Sequence, residues 1–148
     1  CLLAEQYPHH TILAIDQSQH RLRDLEKKAP RNIIIALTDC VDIWRLCLTN
    51  QSQVDKHYLL YPNPWPKKKH LMRRWHGHPC FPLLMQLSSH THVRSNWALY
   101  MQEFYQSASM LGKHSHHYPI TANRHPLTHF EAKYFAAHVP CYGLDIIG

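Results

Sequence analysis

The chain has 148 residues, 45% of them hydrophobic, and a formal net charge of +6 with 15 histidines. This length predicts one domain with a hydrophobic core. No apolar run approaches the roughly 20 residues of a membrane-spanning helix, and the first residues do not resemble a signal peptide, which argues against a membrane protein.

Apolar segments with helical and strand periodicity alternate along the chain. In chain order, the predicted elements are a helix at 1–7, a strand at 11–15, a helix at 17–28, a strand at 32–37, a helix at 41–48, a strand at 56–61, a helix at 79–87, a strand at 91–95, a helix at 97–110, a polar loop at 112–126, a helix at 128–138 and a strand at 141–147. Apolar strands that end in Asp or Asn and precede a helix predict an α/β fold with a doubly wound, mostly parallel sheet. We therefore interpret residues 1–148 as a single domain.

The positive charge favours nucleic acid or another polyanion as partner, although an ordinary basic protein carries the same charge. The five cysteines are odd in number and have no CxxC spacing, which indicates free thiols in a reducing compartment and predicts a cytoplasmic location. The clustered histidines raise the alternative of a zinc site. Because none joins a CxxC or HExxH pattern, surface histidines explain them better, and we expect no metal.

Polar side chains follow four of the predicted strands: Asp16, Asp39, Asn63 and Asn96. The carboxyl ends of parallel strands share one edge of a sheet, where ligands bind, so we expect these residues to gather there. Asp16 suits the ribose hydroxyls of an adenosine. Asp39 suits the adenine amino group, or else a cap for the helix from residue 41, since each of these residues could equally cap a helix.

Asn63 lies between two prolines, which disfavour helix there and hold its side chain at the strand end. Trp65 offers a flat surface on which a base could stack. A basic block follows, and Lys67, Lys68 and Arg74 suit the phosphates of a nucleic acid. The alternative interpretation is a proline-stiffened loop with a solvated charged face.

Three segments resemble the tRNA (guanine-N7-)-methyltransferase family. YPNPWPKKKHLMRR at 61–74 is similar to the family's aromatic-Pro-Asp-Pro-Trp signature with its basic stretch, RSNWALY at 94–100 to its Thr-Asp-x-x-x-Tyr segment, and PLTHFEAK at 126–133 to its Pro-x-Thr-x-Phe-Glu segment. The resemblance implies a Rossmann-like, class I methyltransferase fold that uses S-adenosylmethionine as cofactor. It also implies that tRNA, or another structured RNA, is the partner. The sequence leaves the oligomeric state, monomer or homodimer, open.

Carried over position by position, the family's catalytic residues become Asn63, His70 and Arg73, with Asn63 also placed against the cofactor. Asn96, Thr128 and Glu131 fall on substrate- or cofactor-side positions. The strand and glycine-rich loop that should precede residue 1 are absent from this sequence, which has only 4 Gly. We therefore expect the domain to be incomplete at its N-terminus.

Asn63 and Asn96 stand where the family has Asp. Guanine N7 has an in-plane lone pair, so methyl transfer to it needs no obligatory general base, and orientation could suffice. The loss of charge nevertheless favours altered substrate choice or weak activity. The alternative is a homologue that binds RNA but has weak or no catalysis. Asn-Pro-Trp also resembles, over a shorter stretch, the Asn-Pro-Pro-aromatic tips of amino-directed nucleic-acid methyltransferases.

Overall fold

The computed structural model describes residues 2–122 and 125–148 of the chain. The chain divides into two compact units, Cys1–Leu46 and Cys47–Gly148. The α/β fold class is confirmed, while the single-domain interpretation stays a prediction. Within the described residues, no helix is long and apolar enough to cross a bilayer.

A two-stranded parallel sheet forms the framework of the first unit. In chain order, the elements are α1 (Leu2–Gln6), β1 (Ile12–Asp16), α2 (Gln19–Glu26), β2 (Ile33–Leu37) and α3 (Cys40–Thr49), the last of which crosses the boundary between the units. The register places Asp16 opposite Leu37, so both strands end at the same edge. The Asn32 Nδ2 atom lies 3.1 Å from three carbonyl oxygens, among them those of Ala4 and Tyr7, and so ties the end of α1 to the start of β2.

The second unit is built on a four-stranded mixed sheet with strand order β3-β4-β6-β5. Its elements are β3 (His57–Leu60), two 3₁₀ helices (Lys68–Arg73 and Trp75–Gly77), α4 (Phe81–Gln86), β4 (His90–Ser95), α5 (Ala98–Met110), β5 (His114–Ile120), α6 (His129–Ala136) and β6 (Cys141–Ile147). β3 and β4 are parallel, whereas β6 runs antiparallel to both of its neighbours. The parallel pair brings the ends of β3 and β4 side by side.

One stripe of α5 supplies much of the core in this unit. Tyr100, Met101, Phe104 and Ala108 recur at helical spacing and are fully buried, as is Val93 of β4. The apolar periodicity that predicted this helix therefore also marks the face that it buries.

The prediction of a polar loop at 112–126 is wrong at residues His114–Ile120. These residues form β5, which pairs along its whole length with β6. This strand lies at the sheet edge, where polar side chains and Pro119 are tolerated because one side of the strand needs no partner. Gly143 of β6 makes room for it, since a Cβ atom there would lie 2.6 Å from the Tyr118 ring. Every other predicted element is present within two residues of its predicted bounds.

Candidate active site

Two carboxylates mark the acidic edge of the first unit, by which we mean Asp16 and Asp39. Asp16 ends β1, and its two oxygens accept 2.7 Å hydrogen bonds from the Arg21 guanidinium, while Oδ1 also accepts from the Ser18 backbone N–H. Asp39 accepts from the Val41 backbone N–H at the start of α3 and from Gln17 Nε2. The Gln17 side chain therefore links the ends of the two strands.

The Asp16 carboxylate of the acidic edge stays ionised at neutral pH. Partial burial raises the pKa of Asp16, but the bonds from Arg21 and Ser18 outweigh it and lower that pKa below its ordinary value. Burial, with the nearby charges of Asp39 and Asp16, raises the pKa of the Cys40 thiol to about 11. This edge therefore presents the anionic Asp16 carboxylate near the protonated thiol of Cys40.

The tip that follows β3, residues 63–65 (the NPW tip), is held in an uncommon backbone conformation. Tyr61, just before the tip, and Trp65, within it, have φ angles of 51° and 45°, in the left-handed region that bulky residues rarely adopt. Each such residue costs about 1–3 kcal/mol and persists only where its surroundings impose it, often at functional sites. The Asn63 Oδ1 atom accepts a 3.2 Å bond from the Trp65 backbone N–H, which closes the turn.

A cationic segment follows the tip directly. Lys67 and Lys68 are exposed at the start of the first 3₁₀ helix, and Arg73 at its end is exposed as well. The Arg73 guanidinium carbon lies 4.8 Å from the centroid of the Trp65 ring. The His70 ring meets the same indole nearly perpendicularly, with centroids 5.3 Å apart. The indole therefore gathers a cation and an imidazole beside Asn63.

Arg74 differs from Arg73 because its side chain is only 5% exposed. It donates to the carbonyl oxygens of Trp65 and Pro66, at 3.2 Å and 3.3 Å, and to Glu103 of α5. The guanidinium also lies over the Trp97 ring. Its contacts are therefore made inside the protein, beneath the NPW tip.

Glu131 of α6 is fully buried and paired with a cation from the sheet. Arg94 Nη1 of β4 donates to both of its oxygens, at 2.7 Å and 3.0 Å, and the Tyr61 hydroxyl donates to Oε1 at 2.7 Å. Its Oε2 also accepts from the Leu127 backbone N–H, while Thr128 caps α6 by accepting from the Glu131 N–H. The carboxylate thus connects the strained Tyr61 to the start of α6.

Hydrogen bonds extend the Arg94–Glu131 ion pair across the sheet to β6. Arg94 Nε donates to His92 Nε2 at 2.9 Å, and the Nδ1 atom of His92 contacts the Asp145 carboxylate of β6. Since Nε2 is the acceptor, the imidazole is neutral with its proton on Nδ1. Burial lowers the pKa of His92 although Asp145 opposes that effect, which agrees with a neutral ring.

The structure brings Asn63, Trp65, His70 and Arg73 into contact through the indole and the turn. Asn96 is half-buried beyond the end of β4. Sequence reasoning missed four contributors: Tyr61, Arg94, Glu103 and His76, whose Nε2 atom lies 3.0 Å from the Glu103 carboxylate. The partners of the first three lie 29 to 70 residues away in the chain, so no local spacing indicated them.

Among the described residues, no cluster of three or more His, Cys, Asp or Glu is arranged to hold a metal ion.

Comparison with known proteins supplies the family. A family model described as "Putative methyltransferase" matches residues 1–144. The chain belongs to this methyltransferase family. The family resemblance drawn from the three sequence segments is therefore confirmed, and the mixed α/β architecture agrees with a class I methyltransferase fold.

Individual relatives carry a more specific name. The chain is 27% identical to a tRNA (guanine-N(7)-)-methyltransferase of Neisseria meningitidis serogroup A, over 88% of this chain and 59% of the relative. It is 28% identical to a protein of that name from Treponema pallidum, over 66% of this chain and 42% of the relative. A third, from Ureaplasma parvum, is 53% identical over 34 residues, which are 23% of this chain and 15% of the relative. The chain spans about three fifths of the length of the Neisseria relative.

Proposed function

We propose that this protein transfers a methyl group from S-adenosylmethionine to an RNA base, with guanine N7 of tRNA as the preferred class of target. The observation that carries the proposal is the strained NPW tip, followed directly by the cationic segment, in a chain that belongs to a methyltransferase family. The names of its relatives support tRNA as the substrate.

The acidic edge fits the adenosine part of this cofactor. Asp16 ends β1, and Asp39 lies just beyond the end of the neighbouring parallel strand β2. Carboxylates at that edge accept hydrogen bonds from ribose hydroxyls or an adenine amino group. The Asp16 side chain is 27% exposed. Its Oδ1 atom accepts from both Arg21 and Ser18, whereas Oδ2 accepts from Arg21 and has a second lone pair that a ribose hydroxyl can use. Arg21 would therefore orient the carboxylate for the ribose.

The bound cofactor supplies a methyl group on a positively charged sulfur. The in-plane lone pair of guanine N7 forms the new bond to carbon, the carbon–sulfur bond breaks, and no proton has to leave the base. The residues of this chain therefore have to orient the base rather than deprotonate it. Asn63, exposed at the NPW tip, and the Trp65 ring are the groups that we assign to this task.

The cationic segment would hold the RNA backbone. Lys67 and Lys68 are exposed and suited to phosphates, and Arg73 is placed by its contact with Trp65 where it can reach RNA beside the base. His70 lies against the same indole and would fix its orientation.

Three further residues have roles at the edge of the site. Asn96, half-buried beyond β4, is proposed to face the substrate. Thr128 and Glu131 are joined to each other and, through the Tyr61 hydroxyl, to the strand that carries the tip. Because Glu131 is fully buried, we assign it to positioning Tyr61.

A second candidate is an RNA-binding homologue with little or no catalysis. Asn63 and Asn96, which stand where the family resemblance places Asp, favour it. A calorimetric titration with S-adenosylmethionine separates the two proposals. Binding of the cofactor supports the enzyme, whereas RNA binding without cofactor binding supports the second candidate.

Substitution of Asn63 tests the catalytic assignment directly. With a tRNA transcript and methyl-labelled cofactor, Asn63→Ala should lower turnover while leaving the Kd for RNA within about twofold. Asn63→Asp is the matched variant, because a carboxylate oxygen also accepts from the Trp65 N–H, and it should retain or raise turnover. Equal losses of turnover and RNA affinity in Asn63→Ala would contradict the assigned role.

A further inference from the structure

A pair of opposite charges, one buried and one partly exposed, lies beneath the NPW tip. Its members are Arg74, which follows the first 3₁₀ helix, and Glu103 in the middle of α5. The Arg74 side chain is 5% exposed, while that of Glu103 is 28% exposed. The sequence grouped Arg74 with the phosphate-binding cations, but its burial leaves the guanidinium little surface for an RNA phosphate.

The donors of Arg74 are directed at the backbone of the tip. Nε bonds to the carbonyl oxygen of Trp65 and Nη2 to that of Pro66, while Nη1 bonds to Glu103. The rigid guanidinium carries donors on three separate nitrogens, which reach two consecutive carbonyls and a carboxylate, whereas an ammonium group offers its donors from a single nitrogen. Trp65 is also one of the residues with a left-handed φ, so these bonds act where the backbone needs restraint.

The surroundings of Glu103 leave Arg74 as its charged partner. His76 Nε2 lies 3.0 Å from the carboxylate. The His76 Nδ1 atom is buried and has no hydrogen-bond partner among the described residues, so a second proton there would be an unpaired buried donor. Burial lowers the pKa of His76, although Glu103 opposes that effect. The ring is therefore neutral and donates from Nε2.

We propose that Arg74 and Glu103 form a clamp that positions the NPW tip, and that Arg74 acts through Trp65 rather than on RNA. This role rests on the proposed function for its catalytic consequence, because the tip carries the base-orienting residues. The clamp itself is a property of the folded chain, so it can be measured without a methylation assay.

Two variants separate the clamp from a phosphate contact. Glu103→Gln removes an anion close to the cationic segment, so a purely electrostatic role predicts tighter RNA binding. The clamp predicts a loosened tip and lower turnover, with no gain in RNA affinity. Arg74→Lys keeps the charge, so a phosphate contact would survive it and the clamp would not.

Limited trypsin digestion gives the decisive measurement. Cleavage after Lys67, Lys68 or Lys69 requires the segment beside the tip to open, whereas cleavage after Lys133 in α6 reports on the rest of the unit. Loss of a charge-assisted hydrogen bond should speed cleavage at 67–69 by about tenfold in Glu103→Gln and in Arg74→Lys, with cleavage at Lys133 unchanged. Glu26→Gln, an exposed change of the same charge in α2, is the control and should cleave like the parent protein.

Several results would overturn the clamp. Unchanged cleavage at 67–69 in both variants would do so, as would an equal acceleration at 67–69 and at Lys133, which would mean general unfolding. Cleavage of Arg74→Lys at the parental rate, together with tighter RNA binding by Glu103→Gln, would instead support a phosphate contact for Arg74. If the parent protein transfers no methyl group, the proposed function fails, and the tryptic comparison still decides the clamp.

Discussion

At the acidic edge of the first unit, both carboxylates are held largely by residues close in the chain, such as Ser18, Arg21 and Val41. The NPW tip of the second unit is supported instead by a buried ion pair, Arg94–Glu131, and a partly buried one, Arg74–Glu103, each between distant segments. A locally supported group can remain partly exposed for a ligand, because its partners arrive with the same strand and helix. The strained tip has partners from distant segments, in agreement with the rule that a strained backbone persists only where its surroundings impose it.

The largest expected effect comes from removing a charge from the buried Arg94–Glu131 pair, which tests whether the tip depends on ion pairs between distant segments. Glu131→Gln leaves Arg94 as an uncompensated buried cation, so we expect the free energy of unfolding to fall by about 3–5 kcal/mol. Urea denaturation of the parent and the variant measures the loss. Thr128→Ala is the matched control at the same helix, where loss of the N-cap should cost about 1 kcal/mol. A Glu131→Gln loss no larger than that of the control would refute the importance of the pair.

A pH titration of stability tests the extension of that pair to His92. The folded-state pKa of His92 lies below its ordinary value of 6.5, so the unfolded chain takes up the proton first as pH falls. The contribution of His92 is therefore fully present above about pH 6.5 and is lost as pH falls toward the folded pKa. His92→Gln should reduce the slope of unfolding free energy against pH in this range. An unchanged slope would mean that His92 does not carry the effect.

Substitution of Arg21 tests the other region, the acidic edge, where support from nearby residues should matter for ligand binding more than for stability. The Arg21 side chain is 49% exposed, and an ion pair as accessible as Arg21–Asp16 contributes about 1 kcal/mol or less. We therefore expect Arg21→Gln to change the urea midpoint little while weakening the binding of S-adenosylmethionine severalfold, measured by calorimetry. Parental affinity in this variant would remove Arg21 from the proposed cofactor site.

The smallest effect on stability should come from the exposed lysines. Replacing Lys67 and Lys68 by Ala should leave unfolding unchanged but make RNA binding less dependent on salt. The slope of log affinity against log salt concentration should fall by about 0.7–0.9 for each phosphate that a lysine no longer neutralises. Fluorescence anisotropy with a labelled tRNA at several salt concentrations gives that slope. The same slope as the parent would exclude phosphate contacts at these positions.

The sequence by itself determined the alternation of helices and strands, the polar residues at the strand ends and the family to which the chain belongs. These features are encoded locally, in hydrophobic periodicity, prolines and short motifs. Its error at β5 arose because an edge strand receives its partner from β6, so its own composition need not look like a strand.

Only the tertiary structure separated Arg73 from Arg74, adjacent residues of the same type. One remains exposed against Trp65, and the other is buried and bonded to Glu103 on a different helix. Burial and pairing depend on which distant segments the fold packs together. That information is not contained in the spacing of neighbouring residues, and for this reason the supports of the tip became visible only in three dimensions.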